Sequence, residues 1–180
     1  MSPQEIKQLK LSAIYEALLE LLKDHELSDI GVSELCRQAN VSRTYYYRNF
    51  QSFEEIITCA QEKDIYNYLR RIPHKSHMSF EELMTIYFEF AHDNKAQKLL
   101  LLNAGQTDTL IKTFRTVYTF LVQQGYVNIL RNKRARSQYF ATFLSGAVVS
   151  VETQWIRNGM RESPKNMGNT LCKLIGFDDK

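Results

Sequence analysis

The sequence predicts an all-α fold of about nine helices, because helix signals fill the chain and strand signals do not. Only 3 prolines and 7 glycines occur among the 180 residues, and most of them lie where a helix should begin or end. Apolar residues recur at helical spacings, and we find no alternating strand pattern bounded by turns. We expect two domains, a compact N-terminal segment at 1–50 and a longer helical domain at 51–180.

Capping signals mark the starts of the helices. Ser2-Pro3-Gln4-Glu5 supplies an N-cap serine, a proline at the first helical position and a glutamate that completes a capping box. This first helix is predicted to run to about Asp24. Capping boxes also follow Ser52 and Ser79, and Ser163-Pro164 is another start signal. The remaining helices are predicted at 32–39, 43–50, 54–70, 80–92, 95–103, 107–124, 134–158 and 164–175.

The composition is that of an ordinary globular protein, with 44% apolar and 24% charged residues and a formal net charge of +3. The first 50 residues carry 6 Lys and Arg against 7 Asp and Glu, and the remainder carries 17 against 13. A general basic field is therefore absent from the N-terminal segment. Contact with DNA would have to come from the local placement of basic side chains.

Several functional classes receive no support from the sequence. Cys36, Cys59 and Cys172 are scattered without a CxxC spacing, so we expect buried reduced thiols rather than disulfides or a zinc site. The two histidines in 74–77 lie on a loop without other ligand types, and we predict no metal and no cofactor. Glycine-rich phosphate loops and catalytic arrangements are missing, so we expect no enzyme. Without a signal peptide or an 18-residue apolar run, we expect a cytoplasmic protein that does not span a membrane.

The stretch that carries chemistry is a predicted helix-turn-helix at 32–50. "VSELCRQA" forms two helical turns, Asn40 tolerates the left-handed conformation that ends a helix, and Ser42 caps the next one. Two short helices joined by such a turn place the second helix in the major groove of DNA. Leu35, Tyr46 and Phe50 are predicted to lie in its small core.

Three consecutive tyrosines in "RTYYYRNF" are explained by this assignment. Tyr46 and Phe50 are four residues apart and share the buried helix face, so Tyr45 and Tyr47 should point outward with the arginines. Hydroxyls and guanidinium groups bind phosphates, and Arg and Asn also contact base edges. The predicted DNA-binding residues are Ser33, Ser42, Arg43, Thr44, Tyr45, Tyr47, Arg48 and Asn49.

Over about residues 10–57 the sequence resembles the TetR family of bacterial one-component transcription regulators. Ile30, "VSELCRQANVS", "RTYYYRNF" and "SFEEII" match the family signature in order. Gly31 replaces a usual capping Thr, Thr44 a frequent Gly, and Phe53 a frequent phosphate-contacting Lys. The resemblance implies a homodimeric regulator, most often a repressor, that binds a palindromic operator in double-stranded DNA and is released by a small-molecule effector.

The C-terminal stretch from Phe143 to Ile175 resembles the last two helices of one TetR subgroup, which form the dimer interface as a four-helix bundle. This resemblance implies an interface at Leu144, Val148, Val151, Trp155, Leu171 and Ile175, although which side of the helix at 134–158 meets the second subunit stays open. It also implies an effector pocket, for which the aromatic candidates are Tyr87, Phe88, Phe114, Tyr118 and Phe143. Simple core packing is the competing interpretation of these aromatic residues.

An alternative function is a co-activator or interaction protein of the same fold that acts mainly through a protein partner. The non-basic N-terminal segment and the absence of a lysine at Phe53 favour this alternative. The basic cluster at 131–136 is interpreted as the solvated start of a helix rather than a second nucleic-acid site.

Overall fold

A computed structural model of the chain describes residues 2–73, 78–126, 135 and 137–177. Within these ranges the chain forms nine α-helices and no β-strand, which confirms the all-α prediction. The helices are α1 (Pro3–Leu21), α2 (Val32–Gln38), α3 (Arg43–Asn49), α4 (Phe53–Leu69), α5 (Phe80–Asp93), α6 (Lys95–Asn103), α7 (Thr107–Gln123), α8 (Phe140–Arg157) and α9 (Pro164–Ile175).

The helix boundaries differ from the predicted ones in a few places. Helix α1 ends at Leu21 in a turn, and a short 3-10 helix that the periodicity did not predict follows at Leu27–Asp29. Helix α8 begins at Phe140, while 127–134 and residue 136 lie outside the described residues. The histidines in 74–77 and most of the basic cluster at 131–136 therefore lie outside them as well.

The predicted caps at the helix starts are present, with one change. Ser2 and Ser79 each accept a hydrogen bond from the backbone of the glutamate three residues later, and each glutamate closes the box. Ser52 accepts from the N–H of Glu55 at 3.3 Å, but the Glu55 carboxylate accepts from the N–H of Gln51 instead. In the capping box predicted there, the hydrogen bond to the glutamate carboxylate therefore comes from the N–H of Gln51 instead of that of Ser52.

The chain divides into two compact units, and the division falls within α4, between Asp64 and Ile65. In the first unit, Ile14 and Leu18 of α1 and Leu35 of α2 are completely buried. Tyr46 of α3 is 1% exposed and packs in the same core. These contacts hold together helices that are too short to be stable alone, since α2 and α3 have 7 residues each.

In the second unit, α9 packs closely along α5, and α7 packs along α8. A Cβ atom added at Gly168 of α9 would lie 2.9 Å from the backbone nitrogen of Thr85 and 3.1 Å from the carbonyl oxygen of Glu81. The absence of a side chain at Gly168 therefore permits the close approach of α9 to α5. Trp155 of α8 is buried against Phe88, with ring centroids 5.2 Å apart.

The cysteines follow the expectation only in part. Cys36 and Cys172 are buried and Cys59 is exposed, all three as free thiols. The expected burial is therefore wrong for Cys59, which lies on the solvent side of α4. Among the described residues, no helix is long and apolar enough to cross a bilayer.

The two glycines inside α8 and α9 provide a matched test of the packing. Gly168→Ala should lower the free energy of unfolding by about 1–3 kcal/mol, because its methyl group would meet the backbone of α5. Gly146→Ala should raise it by roughly 0.5–1 kcal/mol, because a Cβ atom at Gly146 meets nothing within 4 Å and alanine favours the helix. Chemical denaturation followed by circular dichroism measures both. Equal changes would contradict the close α5–α9 contact.

Adjacent tyrosines of α3 test the first unit. Tyr46→Ala should destabilise it by about 3–5 kcal/mol, as expected for a fully buried aromatic side chain. Tyr47→Ala should change stability by no more than about 0.5–1.5 kcal/mol, because Tyr47 is 56% exposed and its ring meets Tyr46 edge-on at 5.2 Å. Thermal unfolding of both variants distinguishes them, and a reversed order would mean that the faces of α3 are assigned incorrectly.

Candidate nucleic-acid interface

The backbone between α2 and α3 has the geometry of a helix-turn-helix. Helix α2 ends at Gln38, Asn40 follows with φ 51°, and the N–H of Val41 donates to the carbonyl of Cys36 at 2.9 Å. This pair of features closes the helix end as predicted for an asparagine in the left-handed conformation. Ser42 then caps α3 by accepting from the N–H of Tyr45 at 3.1 Å.

Aromatic packing fixes the rotation of α3 about its axis. The Tyr46 ring lies 6.2 Å from the ring of Phe50 and 6.3 Å from that of Phe53. Burial is the main cause that raises the pKa of the Tyr46 hydroxyl above its ordinary value. Phe53, the residue found where the family often has a lysine, therefore has a packing role here, because it contacts the side chain that anchors α3.

The opposite side of α3 carries most of the predicted contact residues. Arg43, Thr44, Tyr47 and Arg48 are exposed, as are Ser42 at the cap and Ser33 on α2. Two guanidinium groups, a phenol and three hydroxyl groups thus face solvent on and beside one short helix. Such groups donate hydrogen bonds to phosphate oxygens, and Arg43 and Arg48 can also donate to base edges.

Tyr45 and Asn49 are placed differently from the other predicted contact residues. Both are half-buried, and the Tyr45 hydroxyl is buried without a hydrogen-bond partner. The Nζ atom of Lys10 on α1 lies 5.1 Å from the centroid of the Tyr45 ring, so this ring packs beside α1 instead of pointing freely outward as expected. The Asn49 amide donates to the Tyr45 carbonyl at 2.8 Å, which occupies one of its donors within α3.

The basic side chains of α2 and α3 are few and stand beside acidic ones, so they do not form a broad basic field. Arg43 and Arg48 on α3 are joined on α2 by Arg37, whose guanidinium lies 3.7 Å from the carboxylate of Glu34. Acidic residues resume at once in the first turn of α4, with Glu54 and Glu55. Electrostatic attraction of a polyanion is therefore confined to α3 and its immediate surroundings.

In the second unit, four of the five predicted pocket residues form one aromatic series. The Phe114 ring lies 5.0 Å from Tyr87 and 6.3 Å from Tyr118, and Tyr87 also contacts Phe88. The Tyr118 hydroxyl is buried without a partner, and burial raises its pKa to about 12. Phe143 differs from these four residues, because 60% of its surface is exposed to solvent.

The predicted interface residues are mostly covered within the single chain. Val151 is half-buried and the other five are buried in the second unit: Leu144, Val148, Trp155, Leu171 and Ile175. The large apolar side chains that α8, α9 and the preceding turn leave exposed are Phe143, Leu174 and Tyr139. Residues of α8 and α9 therefore divide between an open side and a covered side, and the covered side holds most of the predicted interface residues.

Sequence reasoning missed a buried charge pair in the second unit. Glu152 of α8 is 1% exposed, and one of its carboxylate oxygens lies 2.6 Å from Nζ of Lys98 on α6. One signal was available, because Glu152 is the only charged residue in the apolar run from Phe140 to Ile156. In the ranges that the structure describes, no group of three or more His, Cys, Asp or Glu side chains could hold a metal ion.

Comparison with known proteins agrees with this architecture. Residues 79–176 match a family model, TetR_C_8, described as a transcriptional regulator C-terminal region. No curated protein matches the chain. Among solved structures, the dihydroxyacetone kinase operon activator DhaS is similar, with a TM-score of 0.57 and 15% identity over 92% of this chain and 93% of that one.

Two further solved structures are named FadR, a fatty acid degradation regulator from Bacillus halodurans and a transcriptional regulator from Bacillus subtilis. The protein from Bacillus halodurans has a TM-score of 0.56 and 15% identity over 99% of this chain and 97% of that one. The protein from Bacillus subtilis, in complex with stearoyl-CoA, has the same score and identity over 91% and 96%. At this identity the structures establish the fold, whereas the family model covers more than half of the residues. The chain therefore belongs to the TetR-type family of transcriptional regulators.

Proposed function

We propose that the chain is a homodimeric DNA-binding regulator that represses transcription from a palindromic operator and is released by a small-molecule effector. The observation that carries this proposal is the construction of α3. Tyr46 is buried beneath the helix, while Arg43, Tyr47 and Arg48 project from its open side. A helix that is held on one side by a buried side chain and carries hydrogen-bond donors on the other side is suited to binding in the major groove.

The donors of α3 would have different roles on DNA. The guanidinium group of Arg43 lies in the first turn of α3, where the recognition helices of helix-turn-helix proteins contact bases, and it can donate two parallel hydrogen bonds to a guanine. Tyr47 and the serine hydroxyls carry one donor each and suit phosphate oxygens. Base contacts would supply sequence discrimination, and phosphate contacts would supply register and affinity.

A second copy of the chain would provide the second recognition helix. We propose that it packs on the open side of α8 and α9, where Phe143 and Leu174 are 60% and 69% exposed. Dimers of helix-turn-helix proteins bind half-sites about 34–36 Å apart.

Release by an effector would be a shift between two arrangements of the dimer. An effector in the second unit would favour the arrangement in which the two recognition helices no longer match the half-sites. It must bind the two arrangements with different affinity, since equal binding to both shifts nothing. The stearoyl-CoA complex of the similar Bacillus subtilis regulator supports a small molecule as the signal without indicating its identity for this chain.

A second candidate is a co-activator that works mainly through a protein partner. The N-terminal 50 residues have 6 basic against 7 acidic side chains, Phe53 offers no phosphate contact, and the similar protein DhaS is named an operon activator. Salt dependence separates the two candidates. Affinity based on phosphates falls steeply as salt rises, whereas binding through an apolar protein interface changes little.

Substitutions on α3 test the DNA-binding proposal after selection of an operator from random duplexes. Arg43→Ala should reduce discrimination between the selected site and a site changed at one base pair by about 1–3 kcal/mol. The exposed Arg115 of α7 is a matched control, and Arg115→Ala should leave binding unchanged. Fluorescence anisotropy measures the affinities. Discrimination as strong as that of the unmodified protein would show that Arg43 contacts no base.

Tyr47→Phe removes one exposed hydroxyl group and should weaken binding to all sites alike, because a phosphate contact carries no sequence information. Tyr66→Phe is the matched control, since the Tyr66 side chain on α4 is also exposed. The same anisotropy titrations, repeated over a range of salt concentrations, check this expectation. A loss confined to one sequence would assign Tyr47 to a base instead.

Charge substitutions on the two sides of α8 test the dimer. Phe143→Glu combined with Leu174→Glu should give folded monomers that bind a full operator weakly, because both side chains are exposed in the single chain. Val148→Glu should unfold the second unit, because its side chain is completely buried and an unpaired buried charge costs several kcal/mol.

Sedimentation and circular dichroism together distinguish these outcomes. Thr116→Glu, on an exposed position of α7, should remain dimeric and folded as a control. A dimeric Phe143→Glu/Leu174→Glu variant would place the interface elsewhere on the chain.

A further inference from the structure

The second unit encloses a polar cluster that the proposed DNA contacts do not use. The hydroxyl of Tyr87 on α5 donates to Oε2 of Glu152 on α8 at 2.5 Å. Nζ of Lys98 on α6 lies 2.6 Å from Oε1 of the same carboxylate. Three helices thus meet at one buried carboxylate, and both of its oxygens have a close neighbour.

Aromatic rings surround the charged end of this cluster. Nζ of Lys98 lies 5.4 Å from the centroid of the Tyr87 ring, within the range of a cation–π interaction. The Tyr87 ring in turn meets Phe114 edge-on at 5.0 Å and Tyr68 at 6.3 Å. A carboxylate beside the face of an aromatic ring is a favourable environment for an ammonium group, and Lys98 supplies that ammonium from within the chain.

Lys98 and Glu152 differ in their freedom to leave the cluster. The side chain of Glu152 is 2% exposed and would have no access to water without opening the unit. The side chain of Lys98 is 11% exposed and has a flexible four-carbon stem, so its ammonium can move into solvent by rotation of side-chain bonds. Tyr87 stays as a hydrogen-bond donor, because burial and the nearby Glu152 carboxylate raise its pKa well above its ordinary value.

We propose that Glu152 and Tyr87 anchor the effector site, that Lys98 occupies this site in the absence of effector, and that the effector is a small organic cation with an alkylammonium or arylalkylammonium group. The effect on transcription rests on the proposed function, whereas the binding of the cation does not. The ligand ammonium would take the place of the Lys98 ammonium between the carboxylate and the Tyr87 ring.

Charge balance selects this chemical class. When a cation replaces Lys98, the buried carboxylate keeps a counter-ion and the lysine ammonium gains water. A neutral ligand that displaced Lys98 would leave the Glu152 carboxylate buried without a counter-ion. An anion that drew the Lys98 ammonium to itself would do the same, and a buried unpaired carboxylate is strongly unfavourable. A cationic ligand can therefore exchange with Lys98 while the Glu152 carboxylate stays paired.

The contacts of Lys98 also differ between the two states of the site. While Lys98 occupies the site, its Nζ lies 2.6 Å from Oε1 of Glu152. Departure of Lys98 also removes the ion pair between α6 and α8, which gives the two states of the unit different contacts, as regulation requires.

Calorimetric titration of the full chain with phenethylammonium tests the proposal, with 2-phenylethanol and 3-phenylpropanoate as neutral and anionic controls. We expect saturable binding of the ammonium compound alone. Glu152→Gln should weaken this binding by roughly thirtyfold or more, as loss of a buried charge partner does. Glu89→Gln is the matched control, because Glu89 on α5 is exposed, and it should bind as the unmodified chain does.

A variant of Lys98 tests the displacement step. Lys98→Ala removes the atoms of a propylammonium ion, so propylammonium should bind to this variant more tightly than to the unmodified chain and should raise its melting temperature. Failure of every ammonium probe to bind the unmodified chain would overturn the proposal, even if Lys98→Ala binds propylammonium. In that case Lys98 would be a permanent structural partner of Glu152. The titration of the unmodified chain keeps this test valid if Lys98→Ala does not fold.

Operator binding measured with and without phenethylammonium separates this inference from the proposed function. Weakened operator binding would support both. Saturable ammonium binding with unchanged operator affinity would support the site and overturn its regulatory role. An unmodified chain that binds its operator but no ammonium probe would overturn the inference alone.

Discussion

Burial of the Tyr46 side chain is the interaction on which the arrangement of the first unit depends. Helices α2 and α3 have 7 residues each, and helices of this length are not stable in water without tertiary contacts. Tyr46 supplies such contacts for α3, because its ring meets Phe53 of α4 as well as Phe50 and the residue is 1% exposed. The same packing determines which side of α3 remains open. One buried side chain therefore stabilises α3 and also determines the direction of its exposed donors.

The fold and the anchored side of α3 could be predicted because they depend on local rules. Serine caps, the left-handed Asn40 and the four-residue spacing of Tyr46 and Phe50 are all properties of short sequence windows. The direction of Tyr45 could not be predicted, because it depends on Lys10 of another helix. Helical periodicity assigns residues to sides of a helix, but it does not identify the neighbour that covers each side.

The same limit of helical periodicity explains why the sequence did not distinguish the covered side of α8 from its open side. Helix α8 is apolar around much of its circumference, so the sequence predicted two covered sides without showing which one the chain itself covers. Val148 is buried in the single chain whereas Phe143 is open, and this distinction depends on the packing of α8 against other helices. The partners of Glu152 were equally inaccessible to sequence reasoning, since Tyr87 lies 65 residues away along the chain.

The location of Trp155 gives the molecule an internal spectroscopic probe. It is the single tryptophan of the chain, it is 3% exposed, and its indole N–H donates to the carbonyl of Glu162 at 3.1 Å. Its ring meets Phe88, which in turn meets Tyr87. Emission from indole depends on the polarity and rigidity of its surroundings. Tryptophan fluorescence, excited apart from that of the 10 tyrosines, therefore reports on one known position in the second unit. Rearrangement around Tyr87 can thus be followed in real time without attaching a dye.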